Sequence, residues 1–241
     1  MSIEFQNVTK SFGPRTILSG LSFNIKNGEI VFILGRSGMG KSVSLKLIMG
    51  LYPPDSGRIT VNGVVVSNSN DESLQILRKK CGMVFQHPAL FDSMTIFDNV
   101  SFGIRNEPHE VKLKRVKECL SLVHLDSDIL HKTPQQLSFG MQKRVSLART
   151  IAYSPSYILF DEPTTGLDPI TTTAINELIQ ELSKKLKVTS VVVSHDMGCA
   201  LGIADRIIII DETKIVEEGT VDQIKKSKVP LVISFLSEVI S

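Results

Sequence analysis

Gly35-Arg36-Ser37-Gly38-Met39-Gly40-Lys41-Ser42 constrains this chain more than any other stretch, because it fits the pattern G-x-x-x-x-G-K-[ST] without a gap. The preceding Ile30–Leu34 is an unbroken apolar run, as expected of a strand buried on both faces of a parallel sheet. Beyond it Val43, Leu47 and Leu51 recur at helical spacing, and Gly50 stands where such a helix stops. Strand, glycine-rich turn and helix make a phosphate cradle. Backbone N–H groups from Gly35 to Gly40, Ser37 and Gly38 among them, converge on anionic oxygens at a helix N-terminus. Lys41 brings charge to the β- and γ-phosphates, and the Ser42 hydroxyl is placed to ligate Mg²⁺. The stretch predicts a nucleotide phosphate site.

The flanking pattern says what holds that cradle. Residues 2–25 read as strands, with Ile3, Phe5 and Val8, then Leu21, Phe23 and Ile25, facing a core. A turn over Lys10–Pro14 exposes Phe12 between them. Asn62-Gly63, between Ile59–Val61 and Val64–Val66, predicts a two-residue hairpin. Asp71–Lys80 reads as a short helix, and Cys81–Phe85 as a second buried strand ending at Gln86. From residue 87 to 155 the pattern is helical, with Leu113, Val116, Leu120 and Val123 on one face of an amphipathic helix. Buried strands then resume: Tyr157–Phe160, Val191–Ser194, Ile207–Ile210 and Lys214–Val216. The expected fold is α/β, a P-loop NTPase parallel-sheet core with an antiparallel β subdomain and a helical insertion subdomain. One domain is expected over 1–241, with β layer and core in 1–86 and 156–225, helical subdomain in 87–155 and a tail in 226–241.

Further chemical groups fall at strand ends, where ligands bind in open α/β sheets. Asp161 is placed to hold Mg²⁺ through its water shell, and Glu162 to polarise an attacking water as general base. Gln86 can ligate Mg²⁺ and that water. His195 can donate to the γ-phosphate, or merely cap a turn ahead of Asp196. Ser138, opening Leu137-Ser138-Phe139-Gly140-Met141-Gln142, is an N-cap by its structural reading and a second anion-binding helix terminus by its functional one. Because the phosphate loop already has its own helix, a second such terminus hints at another subunit's nucleotide. Asp168-Pro169 begins a helix carrying Ile170, Ala174, Leu178, Leu182 and Leu186, and capping explains both residues.

A net charge of +2 with 22% charged residues argues against a nucleic-acid partner. Cys81, Cys119 and Cys199 form no C-x-x-C spacing, so a reduced, cytosolic chain without disulfides or structural zinc is expected. Met1–Gln6 predicts no leader, and no apolar stretch approaches the about 18 residues needed to cross a bilayer.

In order, GRSGMGKS, Gln86, LSFGMQKR, YILFDEP, TGLD and SHD resemble the ATP-binding subunit of ABC transporters over nearly the whole chain. The resemblance implies an ATPase using ATP and Mg²⁺, with Phe12 stacking on adenine. Gln86 then matches the Q-loop, Ser138 and Gly140 the signature motif, Asp168 the D-loop aspartate and His195 the switch histidine. It also implies a head-to-tail dimer with a second copy, each ATP lying between one phosphate loop and the other subunit's signature. An integral membrane permease would be the further partner, and the place of work the cytoplasmic face of the inner membrane. Segments 85–104, 161–170 and 194–210, Met141 and the tail Pro230–Leu236 are most similar to ATPases of Mla/Mce-type lipid transporters. That similarity implies a lipid substrate and an Mce-type substrate-binding protein in the complex; a polar amino-acid importer is the alternative. DNA-repair relatives carry a long coiled coil where this chain has only residues 43–136, and no N-K-x-D motif supports a GTPase.

Two further expectations attach to the resemblance. Phe139 stands where the signature has glycine, so the trans phosphate contact is expected to be weakened and Phe139→Gly to raise activity. The competing expectation is that its ring packs and stabilises the insertion. Val232, Phe235, Leu236, Val239 and Ile240 predict a helix docking on protein, with a partner ATPase subunit preferred over the chain's own domain.

Overall fold

In the computed structural model, residues 3–36 and 38–240 are described, without the side chain of Ile240. Ser37, expected in the phosphate cradle, lies outside them. The chain runs β1 (Ile3–Phe12), β2 (Arg15–Ile25), β3 (Ile30–Leu34), α1 (Lys41–Ile48), β4 (Ser56–Val61), β5 (Val64–Val65), α2 (Asp71–Arg78) and β6 (Cys81–Val84). Then come α3 (Ile96–Ser101), α4 (His109–Leu122), α5 (Phe139–Ile151), β7 (Tyr157–Asp161), α6 (Pro169–Leu186), β8 (Thr189–Ser194) and α7 (Met197–Ile203). The last elements are β9 (Arg206–Asp211), β10 (Lys214–Thr220), α8 (Val221–Ile224) and α9 (Pro230–Ile240).

Two sheets result. Four strands pair in the order β2-β1-β4-β5, all antiparallel. Six pair in the order β10-β9-β3-β8-β7-β6, parallel except at β10. The apolar runs are unbroken because both faces of the six-stranded sheet are covered. Val31, Ile33, Ile208 and Ile210 face the antiparallel layer with Phe5 and Leu18. Phe32, Leu34, Ile207 and Ile209 face the helices with Val116, Val145, Leu178 and Ala200. The helical stretch 87–155 holds α3, α4 and α5 as expected.

Local signals mostly held, with two corrections. Asn62 and Gly63 both take positive φ, 52° and 79°, as the hairpin requires. Lys10–Phe12 belong to β1 and not to a turn: Phe12 pairs with Arg15, leaving Gly13-Pro14 as the reversal. Ile170 is 83% exposed, whereas Ile175, Leu178, Ile179 and Leu182 are buried. A strict four-residue stripe drifts around a helix of 3.6 residues per turn, so its first member has left the buried face.

The second correction concerns α9, which packs on α7 of its own domain. Val232 is fully buried, with Leu231, Phe235 and Leu236 partly buried against the same core. Truncation after Lys228 is therefore expected to lower the melting temperature by about 5 °C or more. Burial of one valine contributes about 1.5–3 kcal/mol, and each kcal/mol shifts a domain of this size by about 2–4 °C. An unchanged melting temperature would argue against the intramolecular role.

All three cysteines are free and buried. Burial pushes the Cys81 and Cys199 thiols up to about 12 and that of Cys119 to about 11. Neutral, covered thiols are poor nucleophiles. Native protein at pH 8 is expected to release no chromophore from an aromatic disulfide reagent, and three equivalents after denaturation in guanidinium.

Candidate active site

The sheet order, unlike the chain order, lines the chemical groups up along one edge. The C-terminal ends of β3, β8, β7 and β6, neighbours in that sequence, and the segments that follow them carry Lys41, His195, Asp161-Glu162 and Gln86. A cleft of about 310 Å³ opens there, lined by Phe12, Ile17, Gly38, Gly40, Lys41, Ser42, Gln86, Asp161 and Glu162 among others.

Lys41 opens α1 and is 5% exposed. Its Nζ donates to the carbonyls of Gly35 at 2.8 Å and Arg36 at 2.9 Å, and lies 3.6 Å from Glu162 Oε1. Burial lowers its pKa, while the Glu162 and Asp161 carboxylates pull the other way. The two loop carbonyls fix the position of Nζ beside the cleft.

Ser42 Oγ donates to Asp161 Oδ1 at 2.6 Å. Two hard oxygens in contact, with the Gln86 side chain on the same cleft, suit a hard divalent cation that also takes oxygens from a phosphate substrate. Among the described residues no three His, Cys, Asp or Glu side chains form a metal cage. Those donors fit Mg²⁺ carried in with a nucleotide better than a resident metal.

Glu162 leaves the end of β7 with φ 50°, a left-handed conformation that costs a non-glycine residue about 1–3 kcal/mol. The turn is fixed by its N–H donating to Val193 O at 2.9 Å. The carboxylate is held on two further sides: Oε2 accepts from Thr165 Oγ1 at 3.1 Å and meets His195 Nδ1 at 2.8 Å. With Glu162 ionised, Nδ1 carries the proton, so a second donation from Nε2 requires the imidazolium. His195, itself exposed, therefore orients the carboxylate.

Phe12, at the end of β1, is 43% exposed and meets Tyr52 edge-on at 5.2 Å between centroids. Lys10 Nζ stands 5.4 Å from its ring centroid. An exposed, propped aromatic at the cleft rim is suited to stacking on a base.

Ser138, Gly140 and Asp168 do not line this cleft. They form a second group: Ser138 caps α5 by accepting from Met141 N at 3.3 Å, and Asp168 caps α6 by accepting from Thr171 N at 3.0 Å. Thr171 connects them, since a Cβ on Gly140 would lie 3.1 Å from its Cγ2. Hydrogen bonds from Thr171 hold the Asp168 carboxyl below the usual carboxylate range. Phe139 is the first residue of α5 and is not among the residues of positive φ. The left-handed strain that would favour glycine there is absent, and the ring lies 5.6 Å from Lys143 Nζ.

Sequence reasoning missed Thr165, Ile17, Arg149 and Lys143. Only Lys143 carried a signal: with Ser146, Leu147 and Thr150 it falls on the inward face of α5, where a lysine is out of place.

The ABC transporter family profile matches residues 18–165 of this chain. The chain is 40% identical to MlaF of Haemophilus influenzae, named an intermembrane phospholipid transport system ATP-binding protein. That likeness runs over 238 residues, 97% of this chain and 89% of that one. It is 39% identical to the methionine import ATP-binding protein MetN of Rhizobium johnstonii over 221 residues, 91% of this chain; it spans 61% of that MetN's length. Among solved structures it resembles the ATP-binding cassette MJ0796 in a dimeric post-hydrolysis state bound to ADP and Pi. The TM-score is 0.82 at 34% identity, covering 91% of this chain and 98% of that one.

Proposed function

Since the chain belongs to the ABC transporter family, as an ATP-binding subunit, we propose that it hydrolyses ATP to drive phospholipid through a separate integral membrane permease. The observation that carries the ATPase reading is the single cleft bringing Phe12, Lys41, Ser42, Gln86, Asp161 and Glu162 together. Phe12 stacks on adenine, the Gly35–Ser42 loop and Lys41 hold the phosphates, and Ser42, Asp161 and Gln86 hold Mg²⁺, which neutralises phosphate charge when bound. Glu162 takes a proton from the attacking water as His195 orients its carboxylate. The second group, Ser138, Gly140 and Asp168, faces the nucleotide of a second copy in a head-to-tail dimer. The dimeric state of the MJ0796 cassette supports that arrangement.

No helix among the described residues is long and apolar enough to cross a membrane. Attachment at the cytoplasmic face of the inner membrane therefore falls to the permease, with an Mce-type substrate-binding protein completing the complex. The lipid reading is supported by the extent of the MlaF likeness. It covers 97% of this chain and 89% of that one, whereas the MetN likeness leaves about a tenth of this chain unmatched and spans 61% of that MetN. The comparable identity to MetN favours, as a second reading, an amino-acid importer. Purifying the chain with its partners from native membranes tests both. A helical permease with co-purifying phospholipid is expected; recovery with a periplasmic amino-acid-binding protein would replace the first reading by the second.

A further inference from the structure

Lys143 is 2% exposed, and no part of the site described above uses it. Its Nζ donates to the backbone carbonyl of Gln86, and at 2.9 Å to that of Pro163. Gln86 lines the cleft from the β6 side, and Pro163 directly follows Glu162 on the β7 side. One ammonium thus joins the two segments that carry Gln86 and Glu162, both of which line the cleft. The rest of the same helix face extends the seam along β6 and the segment after it. Arg149 Nη1 donates to Ala89 O at 2.7 Å and Nη2 to Pro88 O at 3.4 Å, and Thr150 Oγ1 to Met83 O at 3.4 Å.

Nothing in packing requires a charge at this point. Burial alone draws the ammonium down to about 8, with no carboxylate opposing it. A buried charge answered only by carbonyl dipoles is costly, and an apolar side chain of similar length would fill the same volume. What an apolar chain cannot do is satisfy two convergent carbonyls at once. The fourth side of the ammonium is covered by the Phe139 ring, one helical turn back, whose face attracts a cation.

We infer that Lys143 is a positioning residue for ATP hydrolysis. Under its Phe139 cover it locks the backbone of Gln86 to the backbone after Glu162 and so fixes the spacing of these two side chains across the cleft. The inference rests on reading Gln86 and Glu162 as the groups that handle the water. It also gives Phe139 a role: the aromatic departs from glycine because it covers the clamp.

The test is ATP turnover by the full chain in its transporter complex, for Lys143→Met, Lys143→Arg, Phe139→Leu, Gln86→Ala and the Gln86→Ala/Lys143→Met double variant. Lys143→Met is expected to lower kcat by at least about tenfold, the scale of a small misplacement of reacting groups. KM for ATP should stay within about twofold, because the phosphate loop is untouched. Lys143→Arg should recover part of that loss, and the double variant should lose distinctly less than the product of its single losses. Phe139→Leu, which keeps an apolar side chain but no ring, should lower kcat about two- to threefold at unchanged KM. A merely structural lysine would lower melting temperature and active fraction without this split.

Wild-type kcat in folded Lys143→Met, or a double variant losing the full product, overturns the inference. Should Lys143→Met fail to fold, wild-type kcat in Phe139→Leu overturns it. If Gln86→Ala and Glu162→Gln themselves turn over normally, the reading of the site falls and the clamp with it. If they fail while Lys143→Met is normal, the clamp alone falls.

Discussion

Glu162→Gln is expected to lower ATP turnover by about 10²–10⁴-fold, the contribution of a general base, equivalent to about 3–5 kcal/mol of barrier. The substitution keeps size and shape, so the positive-φ turn and the Val193 hydrogen bond are retained. The amide oxygen can still accept from Thr165 and from His195 Nδ1, so the side chain stays in place but can no longer take a proton. ATP binding should survive, because Phe12, Lys41, Ser42 and Asp161 are unchanged. Binding is measured directly as nucleotide affinity and as dimer mass with ATP present. Both should hold or tighten, since a negative charge 3.6 Å from Lys41 has been removed from beside the phosphates. Turnover near the wild-type rate would show that Glu162 is not the base.

Gly35→Ala is expected to damage both fold and site, and by contact more than by conformation. A Cβ there would lie 2.3 Å from the Ile210 carbonyl oxygen of β9, a backbone atom with no rotamer to escape into. Overpacking of this kind costs about 1–3 kcal/mol or more, which at about 2–4 °C per kcal/mol is a readable fall in melting temperature. The loop must also back away from the sheet, taking with it the Gly35 carbonyl that holds Lys41 at 2.8 Å. ATP affinity should therefore fall in the same variant. Gly38→Ala is the control: nothing lies within 4 Å of its Cβ, but φ is +80°. It should show only the dihedral penalty of about 1–2 kcal/mol. Equal melting temperatures for Gly35→Ala and wild type would refute the close-approach account.

The residues legible in the sequence are those whose chemistry is set by their immediate neighbours. Gly35–Ser42 and Asp161-Glu162 each follow an apolar strand, so strand, turn and charged group could be read together, and the cleft brings them into contact. Asn62-Gly63, Ser138 and Asp168 were legible for the same reason, since turns and caps are local. What escaped depends on distant partners. The inward lysine of α5 makes sense only once residues 86 and 163 are brought to it. The exposure of Ile170 was not legible, because periodicity gives a face but not where along the helix the core ends. The α9 stripe announced a contact but not its surface: a partner subunit was preferred, and the helix packs on α7 of its own domain. The expected glycine-like strain at Phe139 came from a family pattern and not from this backbone, which is ordinary there.

The position of β3 has a consequence for how the molecule is made. Its two neighbours, β8 and β9, are the eighth and ninth strands in chain order. The Ser42–Asp161 hydrogen bond closes a sequence separation of 119 residues. Contacts so distant carry a loop-closure cost that local hairpins do not, and they slow folding. On a ribosome, where the N-terminal part emerges first, the antiparallel strands and the helical stretch can form while Ile30–Leu34 still lacks both flanking strands. The phosphate loop at its end then has no sheet edge to stand on. Until residues 189–211 have emerged, a nascent chain carries the nucleotide motif without the site, and its most apolar strand is the segment most in need of protection from aggregation.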